Sequence, residues 1–226
     1  PSPLIIAIDG PSGVGKSTLA RGVATRLALP YVDTGAMYRA VGVLAREAGI
    51  DLDDGEGCGR LAASLTFDFL DGSPPGGLRA DGRPMEGRIR TPEAADGASR
   101  CSRHPQVRDA LVAAQRKLAA EHGGVLEGRD IGTVVFPEAP VKLFVTAGAE
   151  ERARRRWRDL QARGVEADLD EVSRAEAERD RRDTTRAHAP LRAAADAVVI
   201  DSTHMNAAEV LDRALAEVAR WRDADR

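Results

Sequence analysis

Leu4-Ile5-Ile6-Ala7-Ile8 is an uninterrupted apolar run closed by Asp9-Gly10, the pattern of a short strand buried on both faces. Beyond a glycine-rich turn, Leu19, Ala20, Val23, Ala24 and Leu27 recur at helical spacing until Pro30 stops them. A second short strand ends near Asp33, and a helix over 35–48 is closed by Gly49. Further strands are predicted where Val125-Leu126 leads into Glu127, over 141–145, and over 197–200 closing on Asp201. Helical spacing covers 107–120 and 150–163, and a last helix carries Val210, Leu211, Ala214, Leu215, Val218 and Trp221. Strands alternating with helices predict an α/β fold, a parallel sheet covered by helices on both faces. The stretch 51–103 breaks the rhythm with many glycines, Ser73-Pro74-Pro75-Gly76-Gly77 and the alternating Leu65-Thr66-Phe67-Asp68-Phe69. A structureless loop of that length is unusual inside a compact domain, so the expectation is a small β-rich insertion.

The composition narrows the class. The chain has 226 residues with 42% hydrophobic content, enough for a sizeable core in one large domain or two small ones. Thirty-three basic against thirty-six acidic residues leave a net charge of −3, so no polyelectrolyte partner is implied as a whole. Lys16, Lys117 and Lys142 are the only lysines, and the other bases are arginine, whose planar fork suits phosphate. Cys58 and Cys101 form neither a disulfide framework nor a zinc motif. No apolar stretch approaches the roughly eighteen residues of a membrane span, and the amino end lacks a secretory pattern. A soluble cytoplasmic protein is expected.

Gly10-Pro11-Ser12-Gly13-Val14-Gly15-Lys16-Ser17, followed by Thr18, fits G-x-x-x-x-G-K-[ST] between a strand-like and a helix-like run. Glycines let the backbone wrap an anion with its N–H groups inward, and the following helix adds the positive end of its dipole. Lys16 is placed to reach the β- and γ-phosphates and Ser17 to ligate Mg²⁺, so binding of MgATP is predicted. A GTPase needs N-K-x-D, but the single asparagine, Asn206, precedes Ala207. Asp201 could end a strand as a metal-site acid, but is read as a turn or cap residue.

Two further segments follow strands at the edge where open α/β sheets bind ligands. Asp33-Thr34-Gly35-Ala36-Met37-Tyr38-Arg39 offers a helix cap, or a hydroxyl and a guanidinium for a second phosphate. Glu127-Gly128-Arg129-Asp130-Ile131-Gly132-Thr133 leaves Asp130 three roles: a water-mediated metal contact, a turn cap, or a hydrogen-bond acceptor for substrate.

With these segments, Ile89-Arg90-Thr91-Pro92-Glu93, Pro105-x-Val107-Arg108, Val134-Val135-Phe136-Pro137, Glu151-Arg152-Ala153-x-Arg155-Arg156, Arg179-Asp180-x-x-Asp183, Arg186 and Ala189-Pro190-Leu191, the chain resembles the bacterial cytidylate kinases over nearly its whole length. The E-G-R-D-I-G-T-V-V-F-P stretch is more specific than the P-loop. The resemblance implies transfer of a phosphoryl group from MgATP to CMP or dCMP by a monomer, with a core of 1–33, 104–149 and 187–226. It implies a monophosphate-binding region with the inserted sheet over about 34–103, and a lid with its following helix over about 150–186. It assigns Ser99, Arg108 and Asp130 to the cytosine base, Arg179 and Asp183 to the ribose, and Thr34, Arg39, Arg129 and Arg186 to the acceptor phosphate. Ser12 faces the acceptor from the cradle. Lys16, Arg129 and one lid arginine would meet the transferring phosphoryl group; of Arg154, Arg155 and Arg158, Arg155 is preferred.

The sequence departs from the family pattern at 72–82 and at Cys101-Ser102-Arg103-His104, where more apolar residues are expected. His104, His122, His188 and His204 have no metal spacing and suit surface or helix-end roles, and Trp157 and Trp221 suit packing. The arginine run 152–158 reads as the lid rather than a solvated face or nucleic-acid patch. The competing readings are a shikimate- or dephospho-coenzyme A-type kinase and a nucleotide-gated nucleic-acid-binding protein.

Overall fold

The computed structural model describes residues 3–70 and 77–224. The chain runs β1 (Ile5–Asp9), α1 (Lys16–Leu27), β2 (Tyr31–Asp33), α2 (Thr34–Glu47) and α3 (Gly55–Ser64). It continues through β3 (Phe67–Leu70), β4 (Gly77–Ala80), β5 (Arg83–Pro84), α4 (Pro92–Cys101), α5 (Pro105–Ala119) and β6 (Gly124–Gly128). A π-helical turn (Ile131–Val135), β7 (Val141–Thr146), α6 (Ala149–Ala162), α7 (Leu169–Thr185), β8 (Val198–Asp201) and α8 (Ala207–Ala224) complete it. The five long-range strands form a parallel sheet in the order β2-β6-β1-β7-β8, as the alternating pattern predicts.

Alternation within the strands sorts side chains to two faces. Ile6, Ile8, Val125, Leu143 and Val145 pack with Leu19 and Val23 of α1 and Val210, Ala214 and Val218 of α8. Ile5, Ala7, Val32 and Leu126 pack on the other face with Ala119 of α5 and with Ile131 and Val135 of the π-helical turn. Ile6, Ile8 and Leu126 are wholly buried, each worth about 1.5–3 kcal/mol of transfer free energy. The register sets Asp9 beside Gly128 and Asp33 beside Glu127, so the carboxyl ends of β1, β2 and β6 share one edge.

The insertion is part sheet, as expected, but mostly helix. An antiparallel β3-β4-β5 sheet is joined to α3 and α4, and Met37, Val41, Cys58, Leu78, Met85, Ile89, Cys101 and Leu111 form their common core. The glycines that obscured these helices in the sequence let elements approach. A Cβ on Gly42 of α2 would lie 2.8 Å from the Gly97 carbonyl carbon of α4. Cys101 is fully buried with its sulfur 4.0 Å from that of Cys58, both as free thiols filling apolar space. Of the segment 72–82, residues 72–76 fall outside the described residues. Among the described residues, no helix is long and apolar enough to cross a membrane.

Candidate active site

The P-loop joins β1 to α1 in the expected strand–turn–helix setting. Gly10 has φ +150°, and a Cβ there would sit 2.1 Å from the Val145 carbonyl oxygen, so only glycine lets the loop cross the end of β7. The Val14 side chain is buried in the core, and neither Gly10 nor Val14 lines the cleft of about 850 Å³ that Ser12, Gly13, Gly15, Lys16, Ser17 and Thr18 border. The Lys16 ammonium donates to the Pro11 carbonyl at 2.5 Å. Burial, then repulsion from Arg129, push its pKa down to about 7.

The same cleft brings together Thr34, Arg39, Ser99, Arg108, Arg129, Asp130, Arg155, Arg179, Asp183 and Arg186, drawn from α2, α4, α5, α6, α7 and the segment after β6. Arg108 donates to the Asp130 carboxylate, Arg186 approaches it to 3.7 Å, and the Arg108 guanidinium lies 5.7 Å from the Tyr38 ring centre. Burial raises the Asp130 pKa while Arg108 and Arg186 pull it back. The Ser99 hydroxyl, Arg39 Nε and Arg186 Nη2 are buried without a hydrogen-bond partner. Buried polar groups are normally satisfied, so these unmatched groups in one cleft suit the polar atoms of a ligand.

Arg129 donates to Asp183 at 2.8 Å, and burial with the charge of Arg129 beside it lowers the Arg179 pKa to about 10. Asp33 takes the capping role suggested for it and pairs with Arg39 as well. It caps α2 through the Ala36 amide at 2.8 Å and accepts from Arg39 at 2.9 Å. Its burial is more than offset by Arg39 and Arg90, which leave its pKa below the usual carboxylate range. Asp201 accepts from the Thr203 amide at 2.9 Å, the turn role expected of it.

The arginine run divides. Arg152 is buried, pairs with Asp180 at 2.6 Å and reaches the Ser12 carbonyl at 3.4 Å, so it ties α6 to α7 and to the P-loop. Arg154 turns away to Glu150 on the exposed face. Arg155 lines the cleft but is held by Glu151 at 3.0 Å and by the Ser202 carbonyl at 2.7 Å, at the turn after β8. Arg156, Arg158 and Arg163 line the cleft beside it.

Three cleft residues stood within the quoted motifs without a role. Arg90 lines the cleft and lies 3.7 Å from Asp33; Tyr38 lines it beneath Arg108. Glu127 is the third. It lies buried one residue before the end of β6, accepts from the Tyr31 hydroxyl, and stands at the cleft with Ser17. Burial, then the charge of Asp33, raise its pKa; Lys16 and the Tyr31 and Ser17 hydroxyls act the other way. The signal was an acidic residue at the end of a buried strand, the feature noted instead at Asp201. A hydroxyl and a carboxylate are the hard oxygen donors that Mg²⁺ takes, directly or through its waters, so this corner fits that ion.

A parallel sheet, a P-loop at the carboxyl end of its central strand and a second, arginine-lined half of the same cleft define a P-loop phosphotransferase. Among solved structures, a gluconokinase from Sinorhizobium meliloti matches with TM-score 0.50 at 17% identity, covering 96% of this chain and 93% of that one. An uncharacterized protein from Eubacterium ventriosum matches with TM-score 0.53 at 14% identity, covering 96% and 98%. These likenesses concern the fold alone. The family model described as cytidylate kinase matches residues 6–220. A cytidylate kinase of Syntrophotalea carbinolica is 48% identical over 216 residues, 96% of this chain and 92% of that protein. One of Geobacter sulfurreducens is 48% identical over 220 residues, 97% and 94%. The chain belongs to the cytidylate kinase family and is a nucleoside monophosphate kinase. Membership decides against the shikimate- and dephospho-coenzyme A-type readings.

Proposed function

We propose that the two halves of the cleft hold MgATP and CMP or dCMP with their phosphates facing, and that the residues above divide the work. The observation that carries this is the continuity of the P-loop with the Asp130–Arg108 pair and the unmatched Ser99, Arg39 and Arg186 groups. Cytosine presents an amino donor beside N3 and O2 acceptors. Asp130 accepts from the amine, and Arg108 and Ser99 supply donors. A site built to pair that amine rejects an analogue lacking it, because its buried acceptor would be stranded.

The acceptor phosphate is held by Thr34, Arg39, Arg129 and Arg186, with Arg90 at the rim, and the ribose by Arg179 and Asp183. That phosphate is already ionised at neutral pH, so no strong general base is needed. Rate comes from in-line placement and from cations around the equatorial oxygens, supplied by Lys16, Arg129 and the arginines of α6, Arg155 among them. Bound Mg²⁺ would neutralise charge on the β- and γ-phosphates; Ser17 would ligate it, and Glu127, its carboxylate fixed by the Tyr31 hydroxyl, would hold its waters. The segment of α6 and α7 closes over the substrates and excludes the water that would otherwise hydrolyse ATP. Cytoplasmic action as a monomer belongs to the same proposal, since one chain supplies every residue named.

An ADP-coupled assay over the common nucleoside monophosphates tests it: CMP and dCMP should turn over and UMP far less. Equal rates with AMP or GMP would defeat the base assignment.

A further inference from the structure

We infer that Asp9 is a positioning residue for acceptor recognition: it caps the turn that follows Asp130 and so leaves the Asp130 carboxylate free to face the cleft. Asp130 stands immediately before the π-helical turn, where an aspartate ordinarily takes up the first unpaired amides of its own turn. Asp33, Asp54, Thr91 and Asp168 do this for the helices they precede. Asp130 makes no such bond, its carboxylate being engaged by Arg108. The Ile131 and Gly132 amides go instead to Asp9, one to each carboxylate oxygen, both at 2.8 Å.

The sheet explains how a residue so distant in sequence reaches them. Alternation along β1 puts Asp9 on the face of Ile5 and Ala7, the face that packs against Ile131 and Val135. The register sets Asp9 beside Gly128, two residues before Asp130. A carboxylate serves two amides at once, where a serine or threonine hydroxyl would serve one side of the turn. The arrangement is costly, since burial drives the Asp9 pKa up to about 6 against the pull of both amides; the negative Asp130 raises it further and Lys16 opposes this. Without Asp9 both buried amides lose their acceptor, and the adjacent Asp130 carboxylate is the one at hand for the second, that of Gly132. Taking it up would withdraw Asp130 from Arg108 and from the base.

This rests on the reading of Asp130 as the cytosine acceptor, and the experiment separates the two. Asp9→Asn and Asp9→Ala, alone and combined with Asp130→Ala, are assayed with CMP and UMP, with melting temperature and calorimetric ATP affinity read alongside. Asp9→Ala should lower the CMP-over-UMP ratio of kcat/KM about tenfold or more, chiefly through KM for CMP. ATP affinity should stay within about threefold. Asp9→Asn, which keeps one acceptor, should lose less, and neither change should lower the ratio further once Asp130 is alanine. The ratio is internal to each preparation, so a partly folded fraction cancels; should Asp9→Ala not fold, Asp9→Asn carries the test. A lost ratio in Asp130→Ala with an intact one in the Asp9 variants, or losses that multiply, overturns this inference alone. An intact ratio in Asp130→Ala overturns the base assignment and this inference with it.

Discussion

The Arg129 guanidinium donates to Asp183 from 2.8 Å, tying the segment after β6 to α7 across 54 residues of sequence. Both groups line the cleft, and Arg129 also faces Arg179, a like charge whose pKa falls to about 10 through burial and this proximity. Asp183 is therefore a counter-ion within a cluster of cleft arginines.

Asp183→Ala should destabilise the protein by about 3 kcal/mol, because it leaves a largely buried arginine unpaired. CMP or sulfate supplies replacement negative charge, so either should raise the melting temperature of this variant more than that of the parent. Differential scanning calorimetry with and without the anion measures it. Equal shifts would mean that Asp183 does not balance the phosphate-binding arginines.

Lys16→Ala should lower kcat by about 10²–10³-fold with the fold intact, since one cation at the transferring phosphoryl group is lost. Circular dichroism and steady-state kinetics together check this; near-normal kcat would contradict the role.

Glu127→Gln keeps the shape of the side chain and removes its charge. The magnesium concentration giving half-maximal rate should rise about tenfold or more, as for other residues that orient metal-bound water. Titrating Mg²⁺ at fixed ATP reads it, and an unshifted midpoint would leave Glu127 a purely structural partner of Tyr31.

Gly42→Ala tests the close crossing of α2 and α4. With the Gly97 carbonyl carbon 2.8 Å from the new methyl, α4 must shift, at about 1–3 kcal/mol. Because α4 carries Ser99, KM for CMP should rise while KM for ATP stays unchanged.

Asp9 gives the pH dependence. Its folded pKa of about 6 lies above the ordinary 3.8, so between those values the folded protein binds more protons than the unfolded chain. Its contribution to stability therefore falls as pH rises through that window, by about 3 kcal/mol in all. The unfolding free energy of the parent minus that of Asp9→Asn should drop by this order from pH 4 to pH 7, other groups cancelling in the difference. Urea denaturation at the two pH values measures it, and a constant difference would mean that Asp9 is not a buried acid.

The P-loop, the α/β class and most strands and helices were legible because their determinants are local: an apolar run of one period, a proline or glycine that ends it, a contiguous glycine-rich turn. The family motifs also named residues that fold into one cleft, since Arg108, Asp130, Arg179, Asp183 and Arg186 all reach it. Tertiary structure decided what each side chain faces. Periodicity missed α3 and α4 because their glycines weaken helix propensity while serving close packing, and the arginine run read as one lid surface is split by the helix itself, burying Arg152 and exposing Arg154. Glu127 and Asp9 were invisible as site residues for the same reason. Each is merely an acid at the end of a strand until the fold brings one into the cleft that Ser17 also lines and gives the other two amides more than a hundred positions away.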